Sequence, residues 1–204
     1  MKKSRDENTE EQILEAAKNV FQSKGMVGAR MQEIADNAGI NKAMLHYYYR
    51  SKQLLFEAVF KNAFSLLAPQ LNTVLNDDSS IEDKIKNFTA NYIPFIIKHP
   101  YLPSFIIQEL NRNEDFILKL KKNTGFPNLE KFKKQVDVEV SNGLIKPISA
   151  EQLFINIMAL NIFPFVAKPL IKAFTNVDES AYKQLMEDRK TEVANFIINA
   201  IKNS

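Results

Sequence analysis

The 204-residue sequence predicts an all-α protein of about nine helices, divided into a small N-terminal unit (residues 1–50) and a larger helical body (residues 51–204). Three observations lead there. Apolar residues recur at i, i+3 and i+4 through most of the chain. Stretches in which apolar and polar residues alternate, as half-buried strands require, stay short. Gly, Pro and polar clusters punctuate the periodic segments at helix-length intervals.

Taken in order, the first helix is expected to start at Thr9, where Thr9-x-x-Gln12 has the form of a capping box. Its buried face is Ile13, Leu14, Ala16, Ala17, Val20 and Phe21, and Gly25 is its natural stop. Lys2, Lys3 and Arg5 read either as a disordered basic arm or as inert solvated charge. Two short helices follow, 31–37 and 42–48, separated by Gly39, with Asn41 as the N-cap of the second. Ser51 caps a long helix from 52 to about 75, and Asn76-Asp77-Asp78-Ser79-Ser80 breaks the pattern. Helices are then expected over 81–98, 101–111, 114–122 and 127–141, with His99-Pro100 and Asn142-Gly143 as stops. Ser149-x-x-Gln152 opens a helix that continues to Phe174, kinked near residues 160–164 by Pro164. The last helix spans about 179–202.

Composition removes several classes of function. Cysteine is absent, so disulfides, thiolate metal sites and Cys nucleophiles are excluded. His46 and His99 lie too far apart in sequence to suggest a zinc cluster, and no metal or cofactor is expected. None of the five glycines belongs to a GxGxxG or Walker-type phosphate cradle. No nucleophile–base pair or close carboxylate pair is legible, so an enzyme is not expected. The charged N-terminus lacks the apolar core of a signal peptide, and no stretch of about 18 apolar residues is free of charges or breakers. A cytoplasmic protein with no membrane partner is the default.

The most informative segment is Ile34-Ala35-Asp36-Asn37-Ala38-Gly39-Ile40-Asn41-Lys42-Ala43-Met44-Leu45. Ala35 is small where two helices cross, Gly39 supplies a left-handed turn, and Ile34, Ile40 and Leu45 are spaced to share a core. The spacing fits a helix-turn-helix or a plain αα-hairpin packed on a bundle. His46-Tyr47-Tyr48-Tyr49-Arg50-Ser51-Lys52 follows as a dense aromatic and basic block. Tyr, Lys and Arg donors suit phosphate oxygens, and flat rings suit sugars and thymine methyls. Tyr49 is assigned to the core near Phe21 and Phe56, which leaves Tyr47 and Tyr48 facing outward.

Residues 9–60 resemble the DNA-binding domain of the tetracycline-repressor (TetR) family. The matching residues are Ile13-Leu14-Glu15-Ala16-Ala17, Phe21, Gly25, Ile34-Ala35, Ala38-Gly39-Ile40, Leu45, Tyr48-Tyr49, Ser51-Lys52 and Leu54. The resemblance implies an N-terminal helix-turn-helix domain of three helices and a C-terminal helical domain for ligand binding and dimerisation. It implies that Lys42 to Tyr48 is the recognition helix, with Lys42, Met44 and His46 at bases or sugars and Tyr47, Tyr48 and Lys52 at phosphates. Arg30 and Gln32 flank them. Two departures stand out: Ala29-Arg30 replaces the usual hydroxyl before the second helix, and His46 stands where Tyr is common.

The body is expected to hold two further surfaces. The 150–174 helix is apolar nearly all round and must be buried on several sides. By resemblance it and the last helix pair with a second copy in a four-helix interface through Phe163, Phe165, Met186, Val193, Phe196, Ile197 and Ala200. An intramolecular core is the alternative. Phe88, Tyr92, Phe95, Ile96, Phe105, Ile106, Leu110, Phe132, Val136, Met158 and Ile162 are expected on inward faces, where the resemblance implies an effector cavity. Asn91, Gln108, Glu109 and Asn156 supply polar groups near it, with Glu109 the one assigned to the ligand. Taken together, the expected function is a homodimeric repressor on double-stranded, pseudo-palindromic DNA, released by a small apolar or amphipathic ligand. The alternative is a DNA-binding regulator controlled by a protein partner.

Overall fold

The computed structural model describes residues 2–112, 118, 121 and 126–203. Apart from residues 118 and 121, the helix expected over 114–122 lies outside the described residues. Ten helices and no strand occur among them. The chain divides into two compact units, Met1–Ser65 and Leu66–Ser204.

The first unit contains α1 (Lys2–Gly28), α2 (Met31–Asn37), α3 (Lys42–Tyr48) and the start of α4 (Lys52–Asn76). The division falls inside α4, later than residue 50, because the first turns of α4 bury Leu55, Phe56, Val59 and Phe60. The Phe56 ring meets Phe21 of α1 edge-on, with centroids 5.0 Å apart. Ile13, Ala16, Ala17 and Val20 complete the α1 face, as their spacing predicts. The start of α1 differs from expectation. Residues 2–8 hold no Gly or Pro and several good helix formers, so the backbone is helical from Lys2 and Thr9 is a helix-interior residue, not an N-cap. Gly25 interrupts α1 at φ 64, ψ 177, a backbone conformation essentially restricted to glycine.

The second unit holds the end of α4, α5 (Ile81–Lys98), α6 (Leu102–Arg112), α7 (Glu130–Ser141), α8 (Ala150–Val166), α9 (Lys168–Thr175) and α10 (Glu179–Ile201). Its core is α5 packed against α10 and α8, and α8 also touches α6, α7, α9 and α10. Ile81, Ile85, Phe88, Tyr92, Ile93 and Ile96 form the buried stripe of α5. Ser149 caps as its capping-box pattern predicts, and Ser80 and Asp178 cap as well: the Ser80, Ser149 and Asp178 side chains accept from the amides of Asp83, Gln152 and Ala181 at 3.1, 3.2 and 2.7 Å.

The helix expected to reach Phe174 is two helices. It runs through Pro164 and breaks at Ala167, and α9 leaves at 76° to α8. The break belongs to Pro169, which has no amide hydrogen for the carbonyl four residues back and sits comfortably in the first turn of a new helix. Pro164 likewise leaves the Leu160 carbonyl without its helical partner, but the Arg189 guanidinium donates to that oxygen, and the Pro164 carbonyl accepts from the Tyr182 hydroxyl at 2.6 Å. No single helix among the described residues is long and apolar enough to cross a membrane.

Replacing Arg189 by Met should therefore cost about 1–3 kcal/mol by orphaning the Leu160 carbonyl. In a Pro164→Ala background the helix supplies its own amide, and the same replacement should cost less than half as much. Urea melts of the four proteins in this cycle check it; additive effects would show that Arg189 does not stand in for the missing bond.

Candidate nucleic-acid interface

The turn between α2 and α3 is built from its backbone bonds. Gly39, at φ 68, directs its amide to the Asp36 carbonyl at 3.1 Å and the Ile40 amide to Ala35 at 3.0 Å. This is the paired closure of a helix end that needs a left-handed residue. Two residues on, the Asn41 side chain accepts from the Met44 amide at 2.7 Å and starts α3. Ile34, Ala35 and Leu45 are fully buried, and Ile40 is half-buried.

Leu45 is the only fully buried residue of the seven in α3. Lys42, Ala43, Met44, His46 and Tyr47 are exposed and Tyr48 is half-buried. Tyr47 is 82% exposed, its ring edge-on to Tyr48 at 5.5 Å. A ring left so open lacks the burial that normally repays an aromatic side chain's apolar surface. Tyr49 is core, as its position predicts: its hydroxyl donates to Glu10 at 2.8 Å. Burial, reinforced by the Glu10 carboxylate, holds that phenol far above the ordinary tyrosine range.

Three expected contact residues are placed differently from α3. Lys52 is half-buried and donates to the Ala29 and Val27 carbonyls at 3.0 and 3.3 Å, so its ammonium first serves to hold the end of α1 and the entry to α2. Arg30 and Gln32 are exposed in an open groove that also contains Lys24, Glu33 and Asp36. Gln32 donates to Asp36 at 2.8 Å, and Lys24 pairs with Glu33 at 2.5 Å. The two carboxylates make this groove less favourable to a phosphate than the α3 surface.

Residues 13–59 match the family of bacterial regulatory proteins described as tetR. This match and the relatives that follow support a TetR-family transcriptional regulator. It is 26% identical over 103 residues to the HTH-type transcriptional repressor NicS of Pseudomonas putida, covering 50% of this chain and 49% of NicS, about half its length. It is 23% identical over 193 residues to the HTH-type transcriptional regulator RutR of Escherichia coli, covering 93% and 89% of the two chains. Its fold is similar to that of a TetR-family regulator from Marinobacter aquaeolei, with a TM-score of 0.67 at 16% identity over 99% of this chain and 100% of the other. Proteins of this family are regulators rather than enzymes.

In the second unit, the residues expected at an effector cavity are mostly interior. Phe88, Tyr92, Ile96, Phe105, Ile106, Glu109, Phe132 and Val136 are buried, and Phe95, Met158 and Ile162 are half-buried. Asn91, Gln108 and Asn156 are exposed, so these three polar groups do not face the interior. Burial raises the Glu109 carboxyl, with Arg112 at 3.3 Å opposing that rise. Three buried polar or charged residues escaped the sequence analysis, Lys84, Thr89 and Asn161. Asn161 continues the Leu153–Ile157 stripe of α8 at four-residue spacing, and an amide on a buried stripe was the available signal.

The expected dimer surface needs correction at three positions. Met186, Val193 and Ile197 are buried inside their own unit, because they lie on the face of α10 turned toward α5 and α8. Phe163, Phe196 and Ala200 are exposed and Phe165 is half-buried. Ile155 and Phe163 on α8, at 54% and 57%, and Leu185 and Phe196 on α10, at 42% and 66%, form the outward apolar positions of the two helices.

Gly39→Ala should destabilise the protein by about 1–2 kcal/mol. No atom lies within 4 Å of the added methyl, so the cost is the left-handed backbone alone. Chemical melts followed by far-UV circular dichroism measure it, and a change below about 0.5 kcal/mol would mean that the turn does not require positive φ.

Proposed function

We propose that this protein is a homodimeric repressor that holds a pseudo-palindromic operator and is released from it by a small apolar or amphipathic ligand. The observation that carries this reading is the α3 surface: a helix anchored by Leu45 alone, with Lys42, Met44, His46 and Tyr47 open to the outside. A helix of this kind reads base edges in the major groove, while Tyr and Lys side chains hold phosphates. Lys42, Met44 and His46 are assigned to bases or sugars and Tyr47 and Tyr48 to phosphates. Lys52 acts chiefly by fixing the α1–α2 junction, and Arg30 and Gln32 stand at the edge of the contact.

Dimerisation is supported by the exposed apolar residues of α8 and α10, which no described element covers fully. A two-fold axis through that surface would set two copies of α3 about 34–36 Å apart, in successive major grooves. Repression is supported by similarity to NicS, which is a repressor. Ligand release needs a difference of only a few kcal/mol between two states of the dimer. Residues of α4 belong to both units, and this helix is where a change in the body would reach the DNA-binding unit.

Selection from random duplexes, followed by fluorescence anisotropy at two salt concentrations, tests the reading. A two-fold symmetric sequence bound by two protomers is the expected result. Lys42→Ala with Tyr47→Ala should weaken it by at least about tenfold, roughly one lost specific contact, with no change in dimerisation. Binding that is weak, equal for all sequences and unaffected by these replacements would sink the assignment of α3.

A further inference from the structure

Arg189 is a half-buried cation with no carboxylate beside it among the described residues. Its guanidinium donates to the Leu160 carbonyl, its Nε is buried without a partner, and its Nη1 makes no hydrogen bond and stays accessible. A guanidinium keeps its proton when partly buried, so a missing anion is costly there. Glu192, one turn further along α10, is exposed and makes no ion pair or hydrogen bond among the described residues. The two opposite charges do not pair along their own helix, because Arg189 is turned toward α8.

Their placement is regular. Leu185, Arg189, Glu192 and Phe196 follow one another at intervals of four, three and four residues and so form one stripe along α10. Its apolar ends, Leu185 and Phe196, are 42% and 66% exposed. The apolar pair and the charged pair share the same midpoint, between residues 190 and 191. A two-fold axis at that point, perpendicular to the helix, lays α10 antiparallel on its copy. It brings Leu185 to the partner's Phe196 and Arg189 to the partner's Glu192, and each contact occurs twice. On α8, Ile155 and Phe163 stand at equal distances from Ala159, an exposed residue small enough to let two helices approach closely. The bond from Arg189 to Leu160 puts that second midpoint near the level of the first, so one axis serves both helices. An axis parallel to the helices would instead lay α10 on the partner's α8. The outward side chains of α8, Ile155, Ala159, Ile162, Phe163 and Val166, carry no charge, and Arg189 would be covered without an anion. Charge complementarity selects the antiparallel arrangement.

We propose that a second copy of this chain docks antiparallel on the α8–α10 face with the two-fold axis between residues 190 and 191, and that the partner's Glu192 is the anion of Arg189. This rests on the homodimer reading above and fixes which residues meet. The apolar ends supply affinity, and the central pair sets the register: a slide of one helical turn leaves both guanidiniums without an anion inside the interface.

The chain has no cysteine, so introduced ones report contacts without background. In the full-length protein, Leu185→Cys and Phe196→Cys on the same chain should give a covalent dimer on mild oxidation or with a short bismaleimide. Either replacement alone should give none, because like positions then lie about 16 Å apart along the helix. Equal yields from the single variants would overturn the axis while leaving dimerisation standing. So would linkage between a Leu185→Cys chain and a Phe163→Cys chain in place of the expected pair. Glu192→Arg should raise the dimer Kd about 100-fold in sedimentation equilibrium, about tenfold for each of the two pairs. Arg189→Glu should do the same, and an equimolar mixture of the two variants should form heterodimers with nearly the original Kd, a rescue that a purely structural Arg189 does not produce. Arg189→Glu also takes the donor from Leu160, and the cysteine and Glu192→Arg experiments stand without it. An unchanged Kd in Glu192→Arg would overturn the pairing. A protein that sediments as a monomer at every concentration and forms no crosslink would remove the homodimer reading and this inference together.

Discussion

Backbone carbonyls left open where helices end or meet proline must find donors, and in this protein cationic side chains from other elements supply many of them. Lys52 reaches Val27 and Ala29 at the end of α1, Lys84 reaches Val74 and Asp77 at the end of α4, and Lys131 reaches Asn76 at 2.7 Å. Arg189 takes the Leu160 carbonyl that Pro164 frees. The last carbonyls of a helix carry its partial negative charge, so an ammonium there gains a hydrogen bond and a favourable dipole together. An almost wholly helical chain with eight prolines has many such ends, and these contacts fix where each helix stops and what it meets.

The same constraint limits what remains for nucleic acid. The net charge is only +3, and Lys52, Lys84 and Arg189 are turned to the protein's own carbonyls. The DNA-binding surface proposed on α3 therefore relies on a few well-placed groups rather than on a broad positive field. Placement, in turn, depends on a short series of local bonds: the Gly39 closure, the Asn41 cap, the Leu45 anchor and the Lys52 clamp. Each is individually small, and together they decide where Lys42 and Tyr47 point.

Local chemistry was the most legible part of the sequence. Asn41, Ser51 and Ser149 cap where their side chains can reach an amide two or three residues on, and Gly39 and Gly143 carry the positive φ that ends a helix. Tyr49 was legible as core because it falls near the helix end facing Phe21 and Phe56. What was not legible depends on distant partners. A Thr-x-x-Gln pattern cannot show that the chain before it stays helical. Pro164 reads as a kink until Arg189, far along the chain, is known to take the freed carbonyl, while the less conspicuous Pro169 marks the real break. Met186, Val193 and Ile197 share an apolar arc with Phe196, and only the register of α10 against α5 separates the residues facing inward from those facing out. The turn between α2 and α3 was thus largely readable, while the inward and outward faces of the body's helices were not.

The single anchor of α3 has a consequence for how such a protein diversifies. Five of its seven side chains are exposed and carry little of the folding energy, Tyr48 is half-buried, and Leu45 alone is fully buried. Those positions are free to vary with almost no penalty in foldability, so a lineage can drift to a new operator by surface replacements while its scaffold stays intact. The same property makes α3 an exchangeable cassette: a designer could graft another seven-residue reading head between Asn41 and Tyr49, keep the leucine at its fourth position, and retarget the protein without redesigning its core.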